Sequence, residues 1–214
     1  MKAFLITVST LLVVLSGTAS SAAAEEAQVP VESLKRGGYL ILFSHGETDR
    51  SLLPREQRKP EPSPMDLTDC EIQAKLTENG RQDARAIGAA FKTLGIPVGQ
   101  VLASGYCRTM ETARIAFGRA EASEVLLDPP YKPAPGAPVP PSFPQRMEAL
   151  RRLLATSPPA GTNAILVTHS SILLNLLGSE AKAGEALIYK PDGQGGFSLV
   201  GRVLPKGWSV QSAP

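Results

Sequence analysis

The chain contains two histidines, and both lie at the ends of apolar runs of strand length. His45 comes one residue after the run 39–43, and His169 comes directly after the run 164–168. Arg108 follows a third apolar run by a short turn. In open α/β sheets the carboxyl ends of the strands form the edge where ligands bind. Two imidazoles and a guanidinium at such an edge suit a phosphate-like oxyanion, since guanidinium and helix N-terminal N–H groups bind it through charge-assisted hydrogen bonds.

The elements that must position these residues alternate between strand and helix. Short apolar runs predict buried strands, and apolar residues at helical spacing predict helices. The predicted strands are residues 39–43, 101–103, 125–127 and 164–168, and the predicted helices begin after Thr77, after Cys107, near Met147 and at Ile172. Residues 186–189 and 197–200 flank a glycine-rich turn and predict a hairpin. We expect a three-layer α/β/α sandwich with a mostly parallel sheet and a C-terminal antiparallel hairpin.

Two proline-rich stretches interrupt this alternation. Residues 49–70 mix prolines with charges and predict a long loop of the kind that often serves as a lid or binding loop. Eight of the sixteen residues from Pro129 to Pro144 are proline, which excludes a helix or a central strand and predicts an extended surface excursion. The chain beyond this excursion predicts one helix, one strand and a hairpin, which are too little for a second core. The excursion therefore lies within one domain.

The first 24 residues have the pattern of an export signal. Lys2 precedes a mainly apolar run over residues 3–15, and small residues continue to Ala24. The run is shorter than the roughly 20 residues that a transmembrane helix needs, and the alanine pattern predicts cleavage after Ala24. We therefore expect one mature domain over residues 25–214, periplasmic or secreted and without stable membrane insertion. A retained membrane anchor is the alternative.

Composition and charge exclude several classes of function. The chain is 43% hydrophobic, which is enough for a buried core and excludes a fully disordered or fibrous protein. Lys and Arg number 22 against 20 Asp and Glu, a net charge of +2. No global basic field therefore supports nucleic-acid binding, and any anion site has to be local.

Cys70 and Cys107 are the only cysteines in the chain. In an oxidising compartment an even number of cysteines usually pairs, so we predict a disulfide between them. Such a bridge contributes roughly 3 to 5 kcal/mol on the chain-entropy model and would tie the turn at Arg108 to the long loop. Two free, partly buried thiols are the alternative.

Three motifs, in this order, resemble the histidine phosphatase superfamily in its phosphoglycerate mutase-like branch, branch 1. They are Ser44-His45-Gly46-Glu47-Thr48, the segment 104–113, and Val167-Thr168-His169-Ser170. The similarity extends through most of residues 37–204, and the combination is similar to exported bacterial members. The resemblance implies a phosphomonoester hydrolase that acts on a small phosphorylated substrate.

The same resemblance implies roles for the three central residues. His45 is the nucleophile that becomes phosphohistidine, Arg108 clamps the phosphate, and His169 is the second histidine of the phosphate pocket. Attack requires a neutral imidazole whose other nitrogen is held as a donor, for example by a backbone carbonyl. Nearby cations disfavour protonation of His45 and so keep it nucleophilic. The scheme requires no metal and no other cofactor. Two histidines without a neighbouring cluster of Cys or Asp residues are an unfavourable set of ligands for zinc.

One position departs from the family pattern. The family has an arginine immediately before the nucleophilic histidine, whereas this chain has Ser44. Losing a preorganised oxyanion donor costs on the order of 10² to 10³ in rate, so we expect impaired turnover. Ser44 itself and Arg50 are candidate substrate contacts. Arg50, Arg55, Arg58 or Lys59 could replace the arginine, and an ordinary solvated surface is the alternative for these charges.

The proton donor to the leaving group has three candidates. Asp128 lies in the segment after the third predicted strand, Glu185 begins the strand after the second histidine, and Glu47 belongs to the first motif. Asp128 precedes a proline, so a turn role is its alternative. Thr48 and Ser170 are further candidates for substrate binding, the latter through helix N-terminal N–H groups.

These residues support three hypotheses. The first is an exported phosphomonoesterase that works through phosphohistidine. The second is a noncatalytic phosphate-binding relative, a pseudophosphatase, which kept the pocket and lost turnover at Ser44. The third is a metal-dependent hydrolase, whose activity a chelator would remove.

Overall fold

The computed structural model describes residues 31–52, 66–128, 136, 139–178 and 180–210. Its helices are Val31–Lys35 (α1), Glu78–Thr93 (α2), Cys107–Phe117 (α3), Phe143–Leu154 (α4), Ser170–Leu177 (α5) and Gly207–Val210 (α6). Its strands are Leu40–Ser44 (β1), Thr48–Asp49 (β2), Lys75–Leu76 (β3), Val98–Ala103 (β4), Glu121–Ala122 (β5), Asn163–Thr168 (β6), Ala186–Pro191 (β7) and Phe197–Val203 (β8). Short 3-10 helices cover Arg50–Leu52, Cys70–Ile72 and Glu124–Leu126.

The main sheet in the described part of the chain has six strands in the order β5-β4-β6-β1-β7-β8. The four strands β5, β4, β6 and β1 run parallel to one another. β7 pairs antiparallel with β1, and β8 pairs antiparallel with β7. The mostly parallel sheet and the C-terminal hairpin are therefore as predicted. A separate antiparallel ribbon joins β2 to β3.

Helices cover both faces of the sheet, because β1 alternates between two apolar cores. Ile41 and Phe43 point to one core, which contains buried residues of α2 and α3. Leu40 and Leu42 point to the other, which contains buried residues of α4 and α5. Successive side chains of a strand face opposite sides, so a continuous apolar run requires cover on both. The predicted three-layer α/β/α sandwich is confirmed.

α2 starts where the sequence predicts and packs unusually close to the first motif. Thr77 is its N-cap, and the Thr77 hydroxyl oxygen accepts a hydrogen bond from the N–H of Gly80. A Cβ at Gly80 would lie 2.4 Å from the carbonyl oxygen of Glu47. Glycine at this position therefore lets the helix approach the backbone that follows His45.

The predicted strand at 125–127 is wrong. Glu124–Leu126 is a 3-10 helix, and the strand that pairs with β4 is Glu121–Ala122. The Leu127 N–H donates to the Glu124 carbonyl, so the backbone turns here instead of joining the ladder. Leu126 and Leu127 are buried all the same. Periodicity cannot distinguish a short buried strand from a short buried turn of helix.

The two proline-rich stretches fall largely outside the described residues. Within the first, the ribbon strand β2 and the 3-10 helices were not predicted. In the second, α4 begins at Phe143, so the prediction of extended chain up to Pro144 is wrong for its last two residues. Proline is tolerated in the first turn of a helix, where its missing N–H has no intrahelical partner. Ser142 precedes the helix and donates its N–H to the Gln145 side chain.

The predicted export signal over residues 1–24 also lies outside the described residues. Within the described ranges, none of the helices combines the length and the apolar character that crossing a bilayer requires.

Candidate active site

Neighbouring parallel strands deliver the two histidines to the same edge of the sheet. Ser44, the last residue of β1, pairs with Thr168, the last residue of β6. His45 and His169 follow directly, and the backbone N–H of His45 donates to the Thr168 carbonyl at 3.0 Å. The two imidazole centroids lie 5.4 Å apart. The sequence-predicted convergence of the two histidines is present in the structure.

The hydrogen bonds of His45 fix which nitrogen carries its proton. Nδ1 lies 2.8 Å from the carbonyl oxygen of Gly46, which can only accept, so Nδ1 is the donor. Nε2 accepts the Nε–H of Arg108 at 3.2 Å. Burial and, to a smaller extent, the charge of Arg108 lower the pKa of His45 from 6.5 to about 4, against the opposing effect of the Gly46 bond. At neutral pH the imidazole is therefore uncharged, with its lone pair on Nε2.

His169 is held neutral by a similar arrangement. Its Nδ1 accepts a hydrogen bond from the Nη2 group of Arg108 at 3.3 Å. Nε2 therefore carries the proton and donates to the hydroxyl oxygen of Ser104 at 2.8 Å. Burial, followed by the charge of Arg108, lowers the pKa of His169 well below 6.5. The ring is almost wholly buried and packs edge-on against Tyr106.

Arg108 joins the two imidazoles. It is the second residue of α3 and is 6% exposed, with its guanidinium 4.5 Å from the ring centroid of Tyr106. Its Nη2 lies 3.8 Å from Oδ2 of Asp128. The guanidinium is thus oriented by an aromatic ring and two neutral nitrogens, and it forms an ion pair with Asp128.

Thr112 connects the first motif to α3, one turn along the helix from Arg108. Its hydroxyl accepts the backbone N–H of Gly46 at 3.1 Å and donates to the Arg108 carbonyl at 2.7 Å. Sequence reasoning assigned no role to Thr112, Ser104 or Tyr106, although all three lie in the motif segment 104–113. The helical spacing of Arg108 and Thr112, which places both on one face, was the signal available.

The predicted disulfide is present and fixes the start of α3. Cys70 and Cys107 are bonded, and their Cα atoms are 5.7 Å apart. The buried side chain of Gln73 accepts the N–H of Cys107 at 2.8 Å and donates to the carbonyls of Leu67 and Asp69. The turn before Arg108 is therefore anchored to residues 67–73 both covalently and by hydrogen bonds.

The three proton-donor candidates lie in different surroundings. Asp128 is near both Arg108 and His169, with Oδ2 4.0 Å from Nδ1 of His169, and it accepts a hydrogen bond from the Ser171 hydroxyl. Glu185 is buried, and its carboxylate is engaged by Arg202 at 2.7 Å and by the Lys182 N–H at 2.7 Å. Of the three, Asp128 is the carboxylate that approaches both the guanidinium and an imidazole.

The remaining candidates are less directly connected to the imidazoles. The Glu47 side chain is exposed, while its carbonyl accepts the N–H of Thr77 at 2.9 Å. Thr48 starts the β2 ribbon, and Arg50 begins a 3-10 helix and is half-buried. Ser170 is the first residue of α5. Three cationic candidates lie outside the described residues: Arg55, Arg58 and Lys59. Among the described residues, no group of three or more His, Cys, Asp and Glu side chains is arranged to hold a metal ion.

A cavity of about 490 Å³ lies beside α3 and shares Arg108 with the site. Its walls include the disulfide, apolar side chains and three further basic residues. They are Leu67, Ala74, Met110, Lys75, Arg81 and Arg114. Two of the basic residues are paired, Arg81 with Glu111 at 2.7 Å and Lys75 with Glu71 at 2.9 Å. The cavity therefore offers space for a group attached to an anion held by Arg108.

The fold and this geometry define an α/β protein with an oxyanion site at the carboxyl ends of its parallel strands. A model of the histidine phosphatase superfamily (branch 1) matches residues 40–130. This segment is therefore similar to the family that the sequence motifs resemble. The match includes His45, Arg108 and Asp128, whereas His169 lies beyond it.

A curated relative and two solved structures add to this result. The mitochondrial serine/threonine-protein phosphatase Pgam5 of Drosophila grimshawi is 29% identical over 110 residues, which are 51% of this chain and 32% of that protein. The match thus spans about a third of the relative's length. A putative alpha-ribazole-5'-P phosphatase from Escherichia coli str. K-12 has a TM-score of 0.54 at 16% identity, over 76% of this chain and 95% of that one. The ecdysone phosphate phosphatase of Bombix mori, in complex with tungstate, has a TM-score of 0.51 at 13% identity, over 78% and 93%. Both structures share the fold.

Proposed function

We propose that this protein hydrolyses phosphomonoesters through a phosphohistidine intermediate on His45. The observation that carries the proposal is the hydrogen bonding of that imidazole. The bond from Nδ1 to the Gly46 carbonyl leaves the Nε2 lone pair directed at Arg108. A neutral nucleophile beside a phosphate-binding guanidinium is what in-line phosphoryl transfer requires.

The reaction proceeds in two displacements. In the first, the Nε2 lone pair of His45 forms an N–P bond while the P–O bond to the leaving alcohol breaks. The Arg108 N–H that donates to Nε2 donates instead to a phosphoryl oxygen. The guanidinium therefore stabilises the negative charge that develops on that oxygen. In the second, water forms an O–P bond, the N–P bond breaks, and its electron pair returns to Nε2 as phosphate leaves.

Asp128 is the proton donor we propose for the leaving alcohol. Its position near Arg108 and His169 supports this role, because a phosphoryl group bound by these two residues would lie close to its carboxylate. It gives a proton to the alcohol in the first displacement and takes one from water in the second, as microscopic reversibility requires. The Ser171 hydroxyl orients the carboxylate. Glu185 is the less favoured candidate because its carboxylate is paired with Arg202.

We also propose that the mature protein is exported after cleavage following Ala24. The bond between Cys70 and Cys107 supports this, because disulfides persist in oxidising compartments and are rare in the cytosol. N-terminal sequencing of the protein recovered from cell fractions tests the proposal. A cytoplasmic protein that retains residues 1–24 would contradict it.

Phosphate labelling tests the intermediate. The wild-type protein is incubated briefly with a labelled aryl phosphate, denatured, and assayed for label that is lost in acid and retained in base, as a phosphorus–nitrogen bond requires. We expect such label on His45, and neither label nor turnover with His45→Ala. The Glu148→Gln variant, changed on the exposed face of α4, is the control for handling and folding. Turnover retained by folded His45→Ala would rule out the mechanism.

Leaving groups of different basicity test the proton donor. Asp128→Asn should slow hydrolysis of an alkyl phosphate by about 10² or more, because an alkoxide leaves poorly without a proton. It should slow hydrolysis of p-nitrophenyl phosphate far less, because that phenolate leaves readily. Glu185→Gln is the matched carboxylate control and should slow both substrates equally. Equal slowing of the two substrates by Asp128→Asn would contradict its role as the acid.

Ser44 supports the second function, a pseudophosphatase that binds phosphate without turning over. The described hydrogen bonds to the two imidazoles include one guanidinium, that of Arg108. Wild-type protein that binds phosphate, hydrolyses no aryl phosphate and becomes active as Ser44→Arg would establish this alternative.

A further inference from the structure

Arg146 is a buried arginine that the proposed mechanism does not use. It lies in the first turn of α4 and is 4% exposed. Its Nη1 group donates to the Pro141 carbonyl at 3.0 Å, and its Nη2 group donates to the Leu127 carbonyl at 3.3 Å. Its Nε–H is buried without a hydrogen-bond partner among the described residues. Because a buried charge requires polar partners, these two carbonyls fix the position of the guanidinium.

The two carbonyls that Arg146 binds lie at opposite ends of the second proline-rich stretch. Leu127 comes two residues before Pro129, and Pro141 lies near the end of the stretch. A guanidinium carries several donors in a rigid planar arrangement, so one arginine can hold two acceptors at once. Arg146 therefore connects the segment before the stretch with the segment that leads into α4.

Leu127 is joined directly to Asp128, the proton donor that we propose. The Leu127 carbonyl belongs to the peptide bond between these two residues. A peptide bond is planar, and its plane contains the Cα atoms of both residues. The hydrogen bond from Arg146 to this carbonyl therefore helps to fix the Cα atom of Asp128.

Other bonds hold the same segment from the sheet and from α5. The Thr168 hydroxyl, on the residue before His169, donates to the Leu126 carbonyl at 2.9 Å. The Ser171 hydroxyl on α5 donates to the Asp128 carboxylate. The main chain that leads to Asp128 is thus held from β6 and α4, and its side chain is held from α5. Arg146 supplies the connection to α4.

We infer that Arg146 is a positioning residue for the proton donor. Through the Leu127 carbonyl it holds the Asp128 carboxylate near Arg108 and His169, where a leaving alcohol would receive the proton. The inference rests on the proposed function in taking Asp128 as the donor. A displacement of about 1 Å in a catalytic group can cost about 10² in rate. Loss of Arg146 should therefore impair proton transfer to the leaving group more than it impairs attack by His45.

Two substrates with different leaving groups test the inference. An alkyl phosphate needs the proton from the donor, whereas p-nitrophenyl phosphate needs it far less. Arg146→Met keeps a long apolar side chain and loses the donors, so kcat/KM should fall about tenfold more for the alkyl ester than for the aryl ester. Arg152→Met, on the exposed face of α4, is the matched control and should leave the ratio of the two values unchanged. Equal slowing of both substrates by Arg146→Met would overturn the inference.

Arg146→Lys distinguishes the connection between the two carbonyls from the charge alone. Lysine keeps the positive charge but lacks the planar set of donors, so it cannot reproduce both bonds. We expect the alkyl-to-aryl ratio to fall in this variant too. A wild-type ratio in Arg146→Lys would show that charge alone is sufficient and would count against positioning through Leu127. This variant also serves for the test if Arg146→Met does not fold.

A double variant tests whether Arg146 acts through Asp128. In the Asp128→Asn protein the donor is already lost, so adding Arg146→Met should leave the alkyl-to-aryl ratio unchanged. Effects of two residues that act as one unit are not additive. A further fall of the ratio by about tenfold in the double variant would show that Arg146 acts independently of Asp128, contrary to the inference.

Hydrogen exchange tests the position of the segment without requiring turnover. The N–H groups of Leu126 and Leu127 donate to the carbonyls of Ser123 and Glu124 within the 3-10 helix. In Arg146→Met these N–H groups should exchange about tenfold faster than in wild type, because the segment loses a charge-assisted bond. Arg152→Met should exchange as wild type does. Equal exchange in Arg146→Met and Arg152→Met would contradict the inference.

These outcomes are distinct from failure of the proposed function. A wild-type protein that hydrolyses neither ester would remove the proposed hydrolysis, while the exchange rates would still show whether Arg146 holds the segment that carries Asp128. If Asp128→Asn lowered the alkyl-to-aryl ratio and Arg146→Met did not, the proposed donor would stand and the positioning role of Arg146 would fall.

Discussion

Arg108 and Arg202 are both substantially buried and both have a carboxylate nearby, but their contacts differ. Arg202, on the hairpin strand β8, holds the Glu185 carboxylate at 2.7 Å. Arg108 has Asp128 at 3.8 Å and donates instead to the neutral nitrogens of two imidazoles. The Arg202 guanidinium donates to a charged carboxylate, whereas the two imidazoles to which Arg108 donates are neutral.

The difference separates a structural ion pair from a binding arginine. In a buried ion pair each charge compensates the other, so removing one partner leaves the other charge uncompensated. An arginine that donates to neutral nitrogens can exchange them for an anion that binds it more strongly, because charge-assisted hydrogen bonds are roughly twice as strong as neutral ones. We therefore expect Arg202 to control stability and Arg108 to control phosphate chemistry.

The largest effect should come from exchanging these two arginines for alanine. Arg108→Ala should lower kcat/KM for an aryl phosphate by about 10³, since it removes an oxyanion donor from the transition state. Arg202→Ala should instead lower the free energy of unfolding by about 3 kcal/mol, because the buried Glu185 carboxylate loses its partner. Steady-state kinetics and chemical denaturation of both variants measure the two effects.

The contrast requires that Arg108→Ala mainly lowers kcat/KM and that Arg202→Ala mainly lowers the free energy of unfolding. If Arg202→Ala reduced kcat/KM as strongly as Arg108→Ala at a temperature where both are folded, the contrast between the two sites would not hold. Arg152→Ala, on the exposed side of α4, serves as the control for both measurements.

The disulfide should have the next largest effect, on stability. It closes a separation of 37 residues, and its loss should cost about 4 kcal/mol on the chain-entropy model, or roughly 10 °C in Tm. The double variant Cys70→Ser with Cys107→Ser tests this by thermal unfolding. Activity should fall less than tenfold where the variant is folded, since Gln73 still holds the Cys107 N–H. Equal Tm values for oxidised and reduced wild-type protein would contradict the expectation.

Acidification should destabilise the imidazole side of the sheet. The folded-state pKa of His45 is about 4, below the unfolded value of 6.5, so the unfolded state binds the proton more tightly. The contribution of His45 to stability is therefore complete above about pH 6.5, falls as pH drops towards 4, and changes no further below it. The loss amounts to about 3 kcal/mol for His45, and His169 acts in the same direction.

Denaturation curves at several pH values, for wild type and for His45→Asn, measure this loss. The asparagine variant should lack the part due to His45 and become the more acid-resistant of the two. Parallel pH profiles for the two proteins would show that His45 does not carry the effect.

The sequence was sufficient for the strands that precede His45, His169 and Arg108 and for the convergence of these three residues. Each of these residues follows a continuous apolar run, and such runs form buried parallel strands whose carboxyl ends share an edge. The sequence could not predict the backbone near Leu126, because a run of three apolar residues fits a strand and a 3-10 turn equally well.

The surroundings of the central residues were also beyond sequence reasoning. Asp128, Glu185 and Glu47 were equivalent as carboxylates in the chain. The structure distinguishes them, because Asp128 lies near Arg108 and His169, Glu185 is paired with Arg202, and Glu47 is exposed. Hydrogen bonds between residues far apart in sequence depend on packing, and no local pattern encodes them. The bond from Gly46 to Thr112 spans 66 residues.

That bond provides the smallest of the expected effects. Thr112→Val keeps the shape of the side chain but removes the acceptor of the buried Gly46 N–H, at a cost of about 1 to 3 kcal/mol in stability. We also expect kcat to fall by about tenfold with KM little changed, because the loop that carries the proton acceptor of His45 is no longer fixed to α3. Thr156→Val is the matched control. Its hydroxyl donates at 2.8 Å to the carbonyl four residues earlier, as that of Thr112 does at 2.7 Å, but it lies exposed beyond α4. Equal loss of activity in the two variants would show that Thr112 stabilises only its own helix. The fixed position of His45 relative to Arg108 would then have to result from packing at the sheet edge.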